Sequence, residues 1–538
     1  MADQPKDRTS NQTENDTPRP EADPTGRWVL FATISASSMA FISGSALNVA
    51  LPAIQRDLGA TGADLLWIVN LYSLLLAALI LVGGSLGDLF GRKRVYMIGI
   101  AIFTLTSIIC GLAPSTSVLI AARGAQGIGG AMMIPGSLAI ISAYFSDEQR
   151  GQAIGTWSAF TTLTSVLGPV LGGVLAENGL WRAIFFIVVP LAIGAFFALL
   201  RYVPESRDEE SPRHLDIIGA LIGTLGMAGV TYGAIEIGRV GVQTGFGRPE
   251  LVGALMGGII LLIVFVIYES RTDTPMMPLR LFRSRTFSGT NLLTFFLYGA
   301  LGAALFFLPL NLVQIQGYGE TLAGFALLPF SVLLILLSRW AGGLVDRVGP
   351  RLPLTVGPLI VAVGFGALAL PGITDGPSDY WVTYFPGAAL LGLGMGFTVA
   401  PLTTAVMGSV PKHNSGVASG INNALSRTSQ VLSTAVMGGL ALAIFGAALS
   451  SNLMMTDLTA NTQQTILERA EDLGNTGVPD DLDSERTESA RTAIDLAFID
   501  MFRVMMLIAA GMCVLSAVLA GIFVEKTLSP PQEAREET

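Results

Sequence analysis

Apolar residues in this chain arrive in long blocks, not in the alternation of a half-buried strand or the stripe of a surface helix. Blocks of about 20 residues are the length a helix needs to cross roughly 30 Å of hydrocarbon. Runs free of turn signals predict spanning helices at 28–50, 65–85, 95–113, 117–143, 152–175 and 182–202. Two more are predicted at 216–237 and 250–269, and a further six at 287–313, 322–345, 352–371, 382–408, 415–449 and 498–524. The run 415–449 exceeds one crossing, so its first part is expected in water or at the interface. The longest polar connection, 451–497, is acidic, with partly helical patterning at Ile466-Leu467, Ala493-Ile494 and Leu496-Ala497. It is expected to be an extracytoplasmic loop, long for a simple connection, that either caps the outer mouth or is solvated, with the solvated reading preferred.

Charge adds an orientation. Arg92, Lys93 and Arg94, then Arg150, Arg201, Arg207, Arg213, Arg271, Arg280, Arg283, Arg285, Arg347, Arg351 and Lys412 fall in one set of alternate connections. The other set is sparse, with Arg56, Arg182, Arg239 and Arg248 and a few in the long loop. The positive-inside bias puts the first set and both termini in the cytoplasm, which requires an even number of spans. The tail 1–26 is polar and has no basic segment leading into an apolar core, so an uncleaved first helix is expected. Both that tail and 526–538 are expected to be cytoplasmic, the first of them disordered.

Composition then excludes several classes. Of 538 residues 51% are hydrophobic and 13% charged, against roughly 25% charged in soluble proteins. Such a chain cannot cover itself with polar surface in water. A net charge of −9 argues against nucleic acid as a partner. Cys110 and Cys513 lie inside apolar runs, and His214 and His413 lie in polar connections. Neither a disulfide framework nor a metal site is expected, no cofactor is implied, and no catalytic set points to an enzyme. A Walker-type loop is absent from the sequence, so ATP is not the direct energy source.

The chain repeats itself. Gly84-Ser85-Leu86-Gly87-Asp88-Leu89-Phe90-Gly91-Arg92 recurs as Gly342-Gly343-Leu344-Val345-Asp346-Arg347-Val348-Gly349-Pro350-Arg351, offset by 346 − 88 = 258 residues. Each copy closes a span and opens a basic turn. Six predicted helices precede the 203–286 region, six follow it and two lie inside it, the duplicated architecture of many secondary transporters.

Several residues carry chemistry within this frame. Asp88 can pair with Arg92 and latch the cytoplasmic gate, while Gly84 and Gly91 permit close approach and a sharp turn. Asp346 and Arg347 would form the second copy. Arg123 lies within a span, where a charge costs about 2.5 kcal/mol or more and faces a cavity or a partner. Its own run offers no carboxylate, so the partner must come from another helix, backbone carbonyls or water. Gly168-Pro169 with Gly172 and Gly173 combines a missing backbone hydrogen bond, which bends the helix, with tight packing on a neighbour. Ser43, Asn48, Trp157, Phe160 and Thr161 are candidates to line a substrate cavity. Asp500 and Arg503, three apart on one helix face, are placed for a structural ion pair.

Four of these stretches together resemble the major facilitator superfamily, specifically its fourteen-helix drug:proton antiporter branch. They are Gly84–Arg94, Leu119-Ile120-Ala121-Ala122-Arg123-Gly124-Ala125-Gln126-Gly127, Gly168-Pro169-Val170-Leu171-Gly172-Gly173, and Asn48-Val49-Ala50-Leu51-Pro52. The resemblance covers roughly 28–524. It implies an all-α polytopic membrane protein with two six-helix bundles, 27–203 and 286–525, and two extra helices in a 204–285 linker. It further implies a monomeric secondary transporter of a bacterial inner membrane, exporting hydrophobic or amphiphilic compounds by alternating access in exchange for protons. Asp88 would gate, Arg123 would couple and Gly168-Pro169 would hinge. The alternative within the same fold is a flippase or exporter of lipid-like molecules without proton coupling.

Two departures stand out. Ser43 occupies the place where this branch commonly has a first-helix aspartate, and Val188 the place of a sixth-helix asparagine. Arg339 and Arg427 are further basic residues in apolar runs. With arginines outnumbering intramembrane carboxylates, an amphiphilic, neutral or anionic substrate gains ground over a cation.

Overall fold

The computed structural model describes residues 24–207, 216–272, 275–411 and 415–527. His214, His413, Lys412 and nearly all of the two tails lie outside these residues, as do the side chains of Arg339 and Asp346. Among the described residues, fourteen helices are long and apolar enough to cross a membrane. The first six are α1 (Thr25–Leu58), α2 (Gly62–Phe90), α3 (Arg92–Gly111), α4 (Thr116–Tyr144), α5 (Gln152–Glu177) and α6 (Ala183–Tyr202). Next come α7 (Ile217–Val240) and α8 (Pro249–Glu269). The last six are α9 (Arg285–Ile315), α10 (Glu320–Ser338), α11 (Arg351–Leu368), α12 (Phe385–Gly408), α13 (Val417–Leu453) and α14 (Ser484–Phe523).

Local chemistry sets the ends. Thr61 and Asp64 form a reciprocal capping box that starts α2, and Ser115, Asp216, Ser284 and Asp483 cap α4, α7, α9 and α14 through their side-chain oxygens. The α2 helix stops at Gly91, whose φ of +108° only glycine adopts cheaply. Gly349 ends the helix that continues α10 with φ +75°. The two glycines are 349 − 91 = 258 residues apart, so the sequence repeat is also a repeat of turn geometry. Each donates its N–H to the carbonyl four residues back, Gly87 or Val345, at 3.0 and 2.9 Å.

Lipid is as apolar as leucine, so helices pair by close contact of small residues. Gly129 of α4 packs on the α3 backbone at Gly99 and Phe103, and Gly238 of α7 packs on Gly439 of α13. Within the first bundle, α1 lies against α4, α5 and α6, and α4 against α2 and α3. In the second, α12 lies against α10 and α11, and α14 against α9, α11 and α13. The inserted α7 and α8 pair with each other, and α7 leans on α2 and α13. Outward residues of α8 such as Ile260, Ile263 and Val266 stay half-exposed, suited to lipid.

The bundles meet along two seams, α2 with α13 and α5 with α10. One end is sealed. There Arg56 ion-pairs with the nearly buried Glu320, Glu177 accepts the Thr321 N–H at 2.9 Å, and Gln314 donates to Gln55 Oε1 at 2.7 Å. The long connection completes this seal, contrary to the expectation of a solvated loop. Gln55 donates to the Asp472 carbonyl at 3.0 Å, Arg239 lies 3.6 Å from Glu471, and Ile466 and Leu473 are buried. Its few buried apolar residues, Leu458, Ile466 and Leu473, are spaced too far apart in sequence to read as a core, while Met454 and Met455 stay exposed. The loop is also shorter than expected, because α14 begins at Ser484 instead of 498. Residues 484–497 form amphipathic helical turns that bury Ala490, Ala493, Ile494 and Ala497 and leave polar neighbours outside.

Candidate transport cavity

A cavity of about 400 Å³ lies between the bundles, lined from α1, α2, α4, α5, α9 and α13. Its polar wall comprises Asn48, Asn70, Tyr72 and Arg123 on one side and Tyr298, Ser426, Arg427 and Gln430 on the other. A second pocket of about 190 Å³ adjoins it through Ser45, Asn48, Ser165 and Leu305, and continues to Val166, Phe330 and Leu334.

Arg123 is 1% exposed, and its charge is met without a carboxylate. Nε donates to the Ile68 carbonyl of α2 at 3.2 Å. Nη1 donates to Ser43 Oγ of α1 at 3.1 Å and to Gln126 Oε1 one helical turn on. The guanidinium also sits over the Tyr72 ring, 3.9 Å from its centroid. Gln126 passes the chain to Ser107 Oγ of α3 at 2.6 Å. Helices α1 and α2 therefore meet α4 on one arginine, and Gln126 extends the chain to α3. Ser43 stands at the contact where a carboxylate would make a direct ion pair.

Asp88 accepts from Arg92 Nε at 2.9 Å, a pairing one helical turn long. Glu205 completes the turn by accepting the backbone N–H groups of Lys93 and Arg94 at 3.0 and 3.2 Å, where a carboxylate suits the start of α3. A methyl at Gly91 would strike Glu205. Gly84 rests on Pro135 of α4. In the second copy Arg347 is exposed.

The glycines of α5 face two ways. Gly168 and Gly172 press on Ser45 and Ala46 of α1, and Gly173 presses on the Glu320 backbone of α10. The Pro169 backbone lies against Gly324. The α5 helix is thus clasped between the bundles at the sealed end.

Of the other predicted lining residues, Asn48 lies at the junction of the two pockets. Trp157 donates to Ser37 of α1 at 3.1 Å, in a network with Ser137 and Tyr96, and Thr161 is buried in helix packing. Phe160 is half-exposed. Asp500 and Arg503 do approach, at 3.6 Å, and Arg503 also donates to the Ala369 carbonyl. Sequence reasoning missed Tyr72, Gln126 and the Arg56–Glu320 pair. Gln126 had a signal, as a buried amide within the Arg123 stretch; the other two are visible only when distant helices meet.

Comparison with known proteins agrees with this geometry. The Major Facilitator Superfamily profile matches residues 33–434. The multidrug resistance protein Stp of Mycobacterium tuberculosis is 36% identical, over 79% of this chain and 77% of its own length. The tetracenomycin C resistance and export protein of Streptomyces glaucescens is 31% identical over 76% and 74%. The multidrug efflux pump LfrA of Mycolicibacterium smegmatis is 30% identical over 89% and 93%. Among solved structures, an inward-facing, unoccupied bacterial homolog of the human lysosomal transporter Spinster superposes with a TM-score of 0.64 at 18% identity, covering 95% of this chain and 100% of that one.

Proposed function

The chain belongs to the Major Facilitator Superfamily, and we propose that it exports hydrophobic and amphiphilic compounds from a bacterial cytoplasm, by alternating access and in exchange for protons. The observation that carries this reading is a central cavity closed at one end by contacts between the bundles. Arg56–Glu320, Gly173 on α10 and the docked loop join the two halves there. At the other end Asp88, Arg92 and Glu205 hold residues of the first bundle to one another. Taking that end as cytoplasmic, this is the loading state. Export needs the sealed contacts to part and the Asp88 turn to close on the second bundle, with α5 turning about Gly168-Pro169.

In this reading Arg123 couples the two events. Its contacts draw on α1, α2 and α4 at once, so displacing Ser43 or Tyr72 re-orients three helices. The names of the relatives, which include resistance and export proteins, support a drug-like substrate. A second reading, movement of lipid-like molecules without proton exchange, draws on Ser43, which leaves the Arg123 cluster without a proton-binding carboxylate.

Energised inside-out vesicles test the choice. Substrate-triggered proton release that Arg123→Ala abolishes is the expected result. Transport that persists unchanged when the proton gradient is collapsed would instead establish the uncoupled reading.

A further inference from the structure

The cavity is chemically two-ended. Its larger part holds two arginines among neutral amides and hydroxyls, and no Asp, Glu or His is among its lining residues. The adjoining part is walled by Val166, Leu305, Phe330 and Leu334. The two join at Asn48, whose side-chain oxygen is buried without a hydrogen-bond partner.

The two arginines are not equivalent. Arg123 is committed to Ile68, Ser43, Gln126 and the Tyr72 ring. Arg427 of α13 lines the same space, and among the described residues its guanidinium has no hydrogen-bond acceptor and no carboxylate partner. A guanidinium left uncompensated within the membrane is costly. Its charge-assisted bonds are the strongest interactions the cavity can offer a ligand. A cation entering here meets two positive charges and no counter-charge. An anion meets one free planar fork with a second positive charge behind it.

Resting on the exporter reading above, we propose that this cavity selects amphiphilic anions, seating a carboxylate, sulfonate or phosphate head on Arg427 and an apolar body against Phe330 and Leu334. Asn48 at the junction takes a hydroxyl or amide of the ligand. Selection follows from the placement of charge: the head end repels cations, and the apolar end rejects ligands polar throughout.

The test compares two xanthene dyes of opposite charge, fluorescein and pyronin Y, by fluorescence anisotropy with the full-length protein in phosphatidylcholine nanodiscs. Wild type is expected to bind fluorescein the more tightly. Arg427→Gln should weaken fluorescein roughly tenfold or more, Arg427→Lys should keep the charge but lose the fork and so weaken it less, and neither should weaken pyronin Y. Independently of any variant, dodecanoate should displace fluorescein from wild type and dodecanol should not. Tighter binding of pyronin Y by wild type overturns the proposal, as does equal loss of both dyes in a monodisperse Arg427→Gln protein. Repeating the titration in phosphatidylglycerol nanodiscs separates the sources of the head. Displacement of fluorescein there assigns it to a lipid, and undisturbed binding assigns it to a solute; both support an anionic head. Vesicles that expel pyronin Y but not fluorescein would leave the exporter standing and remove this inference. Fluorescein bound selectively, with neither dye transported, would do the reverse.

Discussion

At the scale of single residues, the cluster around Arg123 explains how a buried charge survives without an ion pair. Each of its bonds is charge-assisted, and bonds of that kind contribute about 1.5–3 kcal/mol. Tyr72 supplies the face of a ring in place of a counter-ion. Ser43 is the position at which one atom's chemistry changes the protein. With its hydroxyl 3.1 Å from Arg123, Ser43→Asp should create a direct ion pair and cancel the nearer positive charge of the cavity. Pyronin Y export should then be several-fold faster than in Ser43→Ala, measured as initial efflux rates from loaded cells. Equal rates for the two variants would show that the serine's environment does not set substrate charge. Arg123→Lys should not restore proton release lost in Arg123→Ala, because an ammonium cannot stack flat on Tyr72 while reaching three acceptors on separate helices.

At the scale of elements, two segments have their behaviour written into their packing. The α5 helix touches the other bundle through Gly173, where a methyl would meet the Glu320 backbone. Gly173→Ala should therefore open the sealed end, seen as faster labelling of a cysteine placed at position 47, whereas Ala at the unhindered Gly155 should change nothing. The docked loop behaves differently. Leu473 holds φ +57°, a backbone region unfavourable for a leucine, and is 1% exposed. Burial of its side chain offsets the strain, so Leu473→Ala should loosen the whole 460–475 segment in hydrogen exchange. Beside it, burial and the charge of Glu471 push the Asp472 carboxyl above its ordinary range. The docked state prefers that carboxyl protonated, so docking is strongest in acid and weakens as pH rises through the raised value. Exchange protection of the loop should fall between acid and neutral pH, and Asp472→Asn should flatten the profile.

At the scale of the whole molecule, the seal is built from a few polar contacts and close backbone approaches. An ion pair with one half-exposed partner is weak enough to break and re-form, as the proposed alternating access requires. Arg56 is that exposed partner, and Glu320 the buried one. Arg56→Ala leaves Glu320 without its counter-charge and should shift the population toward the state open at that end. Distances between spin labels on α1 and α10 should lengthen in a larger fraction of molecules, while labels within α1 and α5 stay fixed. The neutral Glu320→Gln should shift the balance less, since no charge is then left buried alone. The inserted α7 and α8 stand beside the α2–α13 seam, and α7 touches both bundles.

Hydrophobic block length, the alternation of basic turns and the repeated Gly–Asp–Gly–Arg stretch determined the number of helices and the all-α fold. The Gly91 and Gly349 turns confirm the repeat in backbone geometry. These features were legible because each depends on local chemistry: a span needs a length of apolar residues, and a turn with positive φ needs glycine. Arg123 could be singled out because its cost is local, but its partners could not, since Ile68, Ser43 and Tyr72 approach it from two other helices. The same holds for Arg427, whose meaning depends on sharing a cavity with Arg123 from the opposite bundle. The connection 451–497 reads in sequence more as solvated than as a cap, because its buried side chains are sparse and find their pockets only on elements hundreds of residues away. Tertiary structure alone decided which end is closed, what the cavity's charge is and how its polar and apolar parts are joined, because these are sums over side chains that only the packing of the two bundles brings together.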